Sequence, residues 1–276
     1  MRRFINVVVV TSGVFLLALT PLRAMTVEEA AKRLEAITWY SEEYPPYNFK
    51  ANGQAEGMAV DILMAAFKKI GAKITPKDIK IVPWNRSYKY IQKKPGTALF
   101  SMTKTPERAK LMKFVGPAVP IHVAVIAPKT AKLKVNAVAD LNNLVTGAVR
   151  YDLGDQMIRK LTTNDKAVVR KNSLKQLLYL LGAGRIDAVA YSVDVFNYTV
   201  KKSGGDPKDY ESIHVLNTSH MGYAFHKSTD AAILAPLQKA LDELRVTGVI
   251  DKIIFSYMKQ PPLLKPMAET NGWSLK

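Results

Sequence analysis

The sequence predicts an α/β protein, and three observations carry that expectation. Short β-rich runs alternate with amphipathic stretches of helical length over most of the chain. Glycine and proline punctuate the changes of period, as at Gly71, Pro95-Gly96 and Gly182 with Gly184. The helical stretches between strands are long enough for crossover connections, which implies a mostly parallel sheet.

Taken in order, Thr26 and Glu29 form a capping box ahead of an amphipathic helix ending near Ala36. Residues 37–41 are β-rich and are broken by Glu42-Glu43-Tyr44-Pro45-Pro46-Tyr47. Asn52-Gly53 is a tight-turn signal. Residues 58–70 carry apolar side chains at helical spacing, with Gly71 as the C-terminal stop. A strand at 79–82 and a helix at 85–93 follow, then the apolar run 97–100, which reads as a buried strand. A second unit begins after Pro120, with an extended run at 123–126 and a Lys/Ala-rich surface connection at 128–135. Further strands are expected at 145–149, 167–169, 186–191, 213–216 and 222–225. Further helices are expected from about Leu153 and at 173–181, 195–202, 231–245 and 249–257, before an irregular tail at Pro261-Pro262. No internal repeat or low-complexity segment stands out.

Arg2 and Arg3 precede an apolar run from Phe4 to Leu19 and then Pro21-Leu22-Arg23-Ala24, the layout of a secretory signal peptide over residues 1–24. The run is short of the ~20 apolar residues that a membrane span needs, so cleavage near Ala24 is expected instead of anchoring. The chain has no cysteine, hence no disulfide, no thiolate chemistry and no cysteine to carry a lipid after the signal. A free periplasmic protein is the expectation, with a core held by burial alone.

The formal charge is +17, from 40 Lys and Arg against 23 Asp and Glu. Removing residues 1–24 takes away Arg2, Arg3 and Arg23 and no acid, which leaves 37 against 23, or +14. Export and the even spread of lysines argue against a nucleic-acid partner. The balance reads as a solvated basic surface with weak attraction to anionic envelope components.

The chemistry concentrates in Ser101-Met102-Thr103-Lys104-Thr105-Pro106-Glu107-Arg108, directly after the apolar run. Thr105 suits a helix N-cap and Pro106 the first helical position, where a missing N–H costs nothing. Arg108 then sits in the first turn, where the helix dipole disfavours a cation and exposed N–H groups favour an anion. Its guanidinium fork matches a carboxylate, and Ser101 and Thr103 add hydroxyl donors.

The chain resembles the family 3 extracellular solute-binding proteins, the group that includes polar-amino-acid receptors of ABC importers. The matching residues are Tyr44-Pro45-Pro46-Tyr47, Gly57-Met58-Ala59-Val60-Asp61, and Thr103-Lys104-Thr105-Pro106-Glu107-Arg108 with Phe114 following. Later matches are Leu181-Gly182-Ala183-Gly184-Arg185-Ile186-Asp187-Ala188-Val189 and the helix pair running from Ala240-Leu241 through Gly248. Pro83-Trp84-Asn85-Arg86 further resembles a sub-group of that family.

The resemblance implies a two-lobe, type II periplasmic-binding fold, with lobe 1 formed by residues 25–120 and 222–276 and lobe 2 by 121–221. Two crossover strands near 121–126 and 220–225 would join them, and the lobes would close by hinge motion over a ligand in the cleft. It implies that Arg108 grips the ligand's carboxylate, with Thr103, Ser101 and Met102 beside it. Tyr44 would cover the ligand and Trp84 would form a second wall. The implied partners are a small-molecule carboxylate and the membrane permease of an ABC importer; a monomer without cofactor or metal is expected.

Two departures bear on the ligand. Where such receptors carry Gly-Ser or Gly-Thr at a second-lobe helix start, this chain reads Val149-Arg150-Tyr151-Asp152-Leu153. Asp152 can still cap the helix, and Arg150 either adds a cationic contact or is solvated. Ser192 stands where several receptors use an aspartate for the ligand's ammonium; Asp194, if the strand continued, or Asp152, Asp155, Glu42 or Glu43 are the available substitutes. Two other classes stay open. A sensor for a membrane receptor would look the same in sequence, whereas a dehydratase on this fold lacks support, because His122, His214, His220 and His226 are scattered and no acid–base pair is evident.

Overall fold

The computed structural model of the protein describes residues 25–258. The expected signal peptide and irregular tail lie outside the described residues. Helix α1 (Val27–Glu35) opens on the predicted capping box, in which the Glu29 N–H donates to Thr26 Oγ1 at 3.1 Å and the Thr26 N–H to Glu29 Oε2 at 2.8 Å. Strand β1 (Thr38–Ser41) leads into the hairpin of β2 (Phe49–Ala51) and β3 (Gln54–Glu56), turned by Asn52 and Gly53, both at positive φ. Helix α2 (Met58–Ile70) stops at Gly71 in the left-handed region. Then come β4 (Lys80–Ile81), α3 (Trp84–Lys93), β5 (Thr97–Thr103) and the single turn α4 (Pro106–Ala109).

Strand β6 (Met112–Pro128) crosses to a second unit made of β7 (Thr146–Val149), α5 (Leu153–Leu161), β8 (Val168–Lys171), α6 (Leu174–Gly182), β9 (Ala188–Ser192) and α7 (Val193–Lys202). Strand β10 (Tyr210–His226) returns, and α8 (Ala231–Val246) and α9 (Val249–Met258) finish on the first unit.

The eight-stranded sheet has the order β4-β1-β5-β10-β6-β9-β7-β8. Its wings, β4-β1-β5 and β9-β7-β8, are parallel, but every pairing between them is antiparallel, so the sheet is mixed where the sequence implied a mostly parallel one. The reason is the length of β6 and β10, 17 residues each, which pair with one another from Tyr210↔Pro128 to His226↔Met112. At about 3.3 Å per residue each spans on the order of 55 Å, enough to serve both wings. β10 joins β5 through residues 221–225 and β6 joins β9 through 123–126. Two lobes therefore share two continuous strands. The segments expected as separate strands at 213–216 and 222–225 are one, because the polar run Asn217-Thr218-Ser219-His220 between them passes from one core to the other.

Trp39 anchors the first lobe, meeting Phe67, Phe225 and Phe100 edge-on at 5.1, 5.4 and 6.3 Å between ring centroids. Among the described residues no helix is long and apolar enough to cross a membrane.

Candidate functional site

Strand β5 delivers the site's cation. It ends at Thr103, and Thr105 caps α4, its hydroxyl accepting from the Arg108 N–H at 3.2 Å with Pro106 at the first helical position. That one turn folds Arg108 back over the strand end, where the side chain is buried. Its Nη1 donates to the Thr103 carbonyl at 3.2 Å, and its Nη2 crosses between the lobes to the Tyr151 carbonyl at 3.0 Å. The guanidinium carbon lies 5.6 Å from the Trp84 ring and 5.7 Å from the Tyr88 ring. The Nε–H is buried with no acceptor.

The second lobe meets it at the end of β7. Tyr151 adopts φ 67°, turning the chain so that Asp152 caps α5 by accepting from the Gly154 N–H at 3.1 Å. Gly154 is required there, since a Cβ would lie 2.2 Å from the Ala190 carbonyl oxygen of β9. The Tyr151 N–H donates to Asp155 at 2.8 Å, and Asp155 also pairs with Arg170 at 2.5 Å. The Tyr151 ring stacks on Tyr88 of the first lobe at 5.7 Å and 14°.

The loop after β1 supplies the rest. Tyr44 stacks on Tyr47 at 5.6 Å and meets Tyr191 of the second lobe edge-on at 5.6 Å. The Tyr47 hydroxyl donates to Asp194 across the seam at 2.7 Å. Gly57 (φ 125°) presses on this loop so closely that a Cβ would sit 2.4 Å from the Tyr47 carbonyl oxygen. Asn48 braces it, donating to the Glu42 carbonyl at 2.9 Å and accepting from the Ser101 hydroxyl. At the rim, Lys160 and Glu107 form an ion pair between the lobes at 2.6 Å.

Glu42 and Asp152 flank Arg108 electrostatically and are both 7% exposed. Burial pushes the Glu42 carboxyl well above its ordinary range, the Asp152 charge adds to the rise, and Arg108 opposes it. Burial likewise raises Asp152, against the pull of Arg108 and of the Gly154 and Leu153 N–H groups. The hydroxyls of Tyr44, Tyr47 and Tyr191 are held well above their usual value, chiefly by burial, and stay neutral.

A cavity of about 520 Å³ opens between the lobes, walled by Glu42 and Trp84 on one side and by Leu174, Tyr191, Val195 and Tyr198 on the other. Of the ten residues singled out in the sequence, Trp84 faces it, and Arg108 lies behind that ring. Tyr44, Trp84, Thr103, Arg108, Tyr151 and Asp152 converge at the seam. Ser101 spends its hydroxyl on Asn48, and Met102 is packed into the core of the first lobe. Arg150 is exposed and its N–H pairs with the Lys171 carbonyl, so it points to the solvated alternative. Ser192 is fully buried at the end of β9, and Asp194 lies in the first turn of α7, since the strand does not continue. Tyr88, Tyr191 and Tyr198 were not anticipated. Tyr88 was within reach, lying four residues after Trp84 on one face of α3.

Among the described residues no group of three His, Cys, Asp or Glu could hold a metal. The pattern of the bacterial extracellular solute-binding proteins, family 3, matches residues 37–260, and the chain belongs to that family. A probable histidine-binding protein of Neisseria gonorrhoeae is 28% identical over 219 residues, covering 78% of this chain and 80% of the relative. Among solved structures, the arginine-, lysine-, histidine-binding protein ArtJ of Geobacillus stearothermophilus superimposes with a TM-score of 0.69 at 21% identity, over 83% of this chain and 97% of that one. A histidine kinase sensor domain with similarity to periplasmic binding proteins gives a TM-score of 0.70 at 20% identity, over 80% and 96%. The two-lobe arrangement is that of type II periplasmic binding proteins, and the chain is a solute-binding protein.

Proposed function

We propose that the protein captures an amino acid in the cleft between its lobes and hands it to the permease of an ABC importer. The observation that carries this reading is Arg108: a buried guanidinium at the lobe seam with an unspent Nε–H, able to take a ligand carboxylate in a charge-assisted pair. Relatives named for histidine or for arginine, lysine and histidine support the amino-acid class. Lobe boundaries near residues 120 and 222, export to the periplasm after cleavage near Ala24, and action as a monomer belong to the same reading. The function is binding without turnover. A sensor would use the same cleft, and the likeness to a kinase sensor domain is what favours that second reading.

The test is a thermal-shift screen of L-amino acids on the purified protein, followed by calorimetry on Arg108→Ala. Bound ligand raises apparent stability by mass action. Losing one partner of a desolvated charge pair costs about 2 kcal/mol or more, so affinity should fall by at least about 30-fold while the fold is retained. Unchanged affinity sinks Arg108 as the anchor.

A further inference from the structure

Helix α9 ends beside a groove that both lobes wall. The groove encloses about 350 Å³, and it differs from the ligand cleft walled by Glu42 and Trp84, although Tyr198 touches both. The first lobe contributes Phe49 of β2 with Tyr257 and Met258 at the end of α9, and the second contributes Asn197 and Tyr198 of α7. The walls are chiefly ring and hydrocarbon. Phe49 and Tyr198 approach to 6.2 Å across the seam, and the Tyr257 hydroxyl is spent on Asp61 at 2.7 Å, which leaves its ring for packing. All four apolar side chains are only half-buried, so a contiguous apolar face stays open where the lobes meet. The charges beside it are already provided for, since Asp194 accepts from Tyr47 and Lys201 is exposed to water.

The sequence directly beyond Met258 is Lys259-Gln260-Pro261-Pro262-Leu263-Leu264-Lys265-Pro266. Proline fixes φ near −65° and biases the residue before it toward extended backbone, so this run favours polyproline II. Grooves lined by aromatic rings accept such a segment, because little conformational entropy is left to lose on docking. Pro261, Pro262, Leu263 and Leu264 supply the apolar surface that would cover the groove, while Lys259 and Lys265 bracket them and can stay in water. At about 3.1 Å per residue the apolar run begins within ~10 Å of Met258, which itself lines the groove. A tether that short gives an effective concentration in the millimolar range, which an untethered partner would have to exceed.

We propose that residues 261–264 dock in this groove and tie the two lobes together from outside the ligand cleft. A segment that touches Phe49 and Tyr198 at once makes its full contact only with the lobes together, so docking and closure favour each other. The device does not depend on which solute the cleft takes.

The chain has no cysteine, so disulfide trapping reads the contact directly. In protein comprising residues 25–276, Asn197→Cys with Leu264→Cys should bridge within one chain under mild oxidation. The rate should be at least about tenfold that of Tyr179→Cys with Leu264→Cys, because it reports effective concentration. Tyr179 is 69% exposed on α6 and does not line the groove. Equal rates for the two pairs overturn the docking. A bridge that forms only between chains assigns the groove to a second copy and overturns it as well. Hydrogen exchange on the unsubstituted protein removes any dependence on how the cysteine variants fold. The Leu263 and Leu264 amides should exchange at least about tenfold slower than in a free peptide of residues 259–276, and unprotected amides overturn the proposal. Small-angle scattering then reads the lobes. Leu263→Ser with Leu264→Ser should raise the radius of gyration, and an unchanged radius overturns the tie between docking and closure. No ligand enters these measurements, so their failure leaves the amino-acid reading of the cleft untouched.

Discussion

Tyr47 shows how a residue that reads as packing acquires a second role. Its ring is buried against Tyr44, as its place beside a Pro-Pro pair suggests, yet its hydroxyl reaches Asp194 on the other lobe at 2.7 Å. Arg108 does the same in reverse, since the residue proposed as the carboxylate anchor also spends one donor on the Tyr151 carbonyl across the seam. Both contacts exist only when the lobes are together, so both contribute to closure and neither to the stability of a separated lobe. A hydrogen bond to a charged acceptor contributes about 1.5–3 kcal/mol net, and Asp194 can rehydrate once the hydroxyl is gone, which places the loss at the low end. Tyr47→Phe should therefore weaken ligand binding by about tenfold, with most of the change in the dissociation rate. The melting of the ligand-free protein should move by less than ~0.5 kcal/mol. A stopped-flow displacement measurement and a thermal melt check the two halves separately, and a Tm loss with unchanged affinity would return Tyr47 to a purely structural role.

Elements reach the site through two glycines that hold backbones in contact. Gly154 lets the start of α5 lie on β9, and Gly57 lets the start of α2 lie on the loop that carries Tyr44 and Tyr47. Gly154→Ala puts a Cβ 2.2 Å from the Ala190 carbonyl oxygen, a backbone atom that cannot swing aside. The expected cost is about 2–3 kcal/mol, a Tm drop of roughly 5–10 °C in a protein of this size, because α5 must lift off the sheet. A melt unchanged within error would show that the helix has room. Elements with their own local signals were legible in the sequence: the capping box of α1, the Gly71 stop of α2, and the Thr105 and Asp152 caps all occur where their residues demand. The two long strands were not. β6 contains Gly116, Pro117 and Pro120, and β10 contains a polar stretch, so each reads as broken although pairing along their length keeps both continuous. The site divides in the same way. Arg108, Thr103 and Asp152 announce themselves by position at strand ends and caps, whereas Tyr88, Tyr191 and Asp194 matter through partners about 60 to 150 residues away in the chain, which no local pattern encodes.

At the scale of the whole molecule, closing the lobes is a titration as well as a hinge motion. With the lobes together Glu42 and Asp152 are buried, and burial raises both carboxyls above their ordinary values of about 4.5 and 3.8. The groups that face Glu42 are Asp152 and Glu43, which add to the rise, and Arg108, which opposes it; Tyr44 and Tyr191 beside it remain neutral. A carboxyl raised in the closed form keeps its proton to higher pH there than in the open form, where water reaches it. Between the two values the closed form binds more protons, so acid favours closure, and this advantage is lost as pH rises through the raised value. The rim carboxylate does not interfere, because Lys160 holds Glu107 down at about 2, below that window. Ligand-free protein should accordingly be more compact at about pH 5 than at about pH 8 by small-angle scattering, and Glu42→Gln should remove most of the difference. A radius independent of pH in the wild type, or a pH response that survives Glu42→Gln unchanged, would mean that these carboxyls do not control closure.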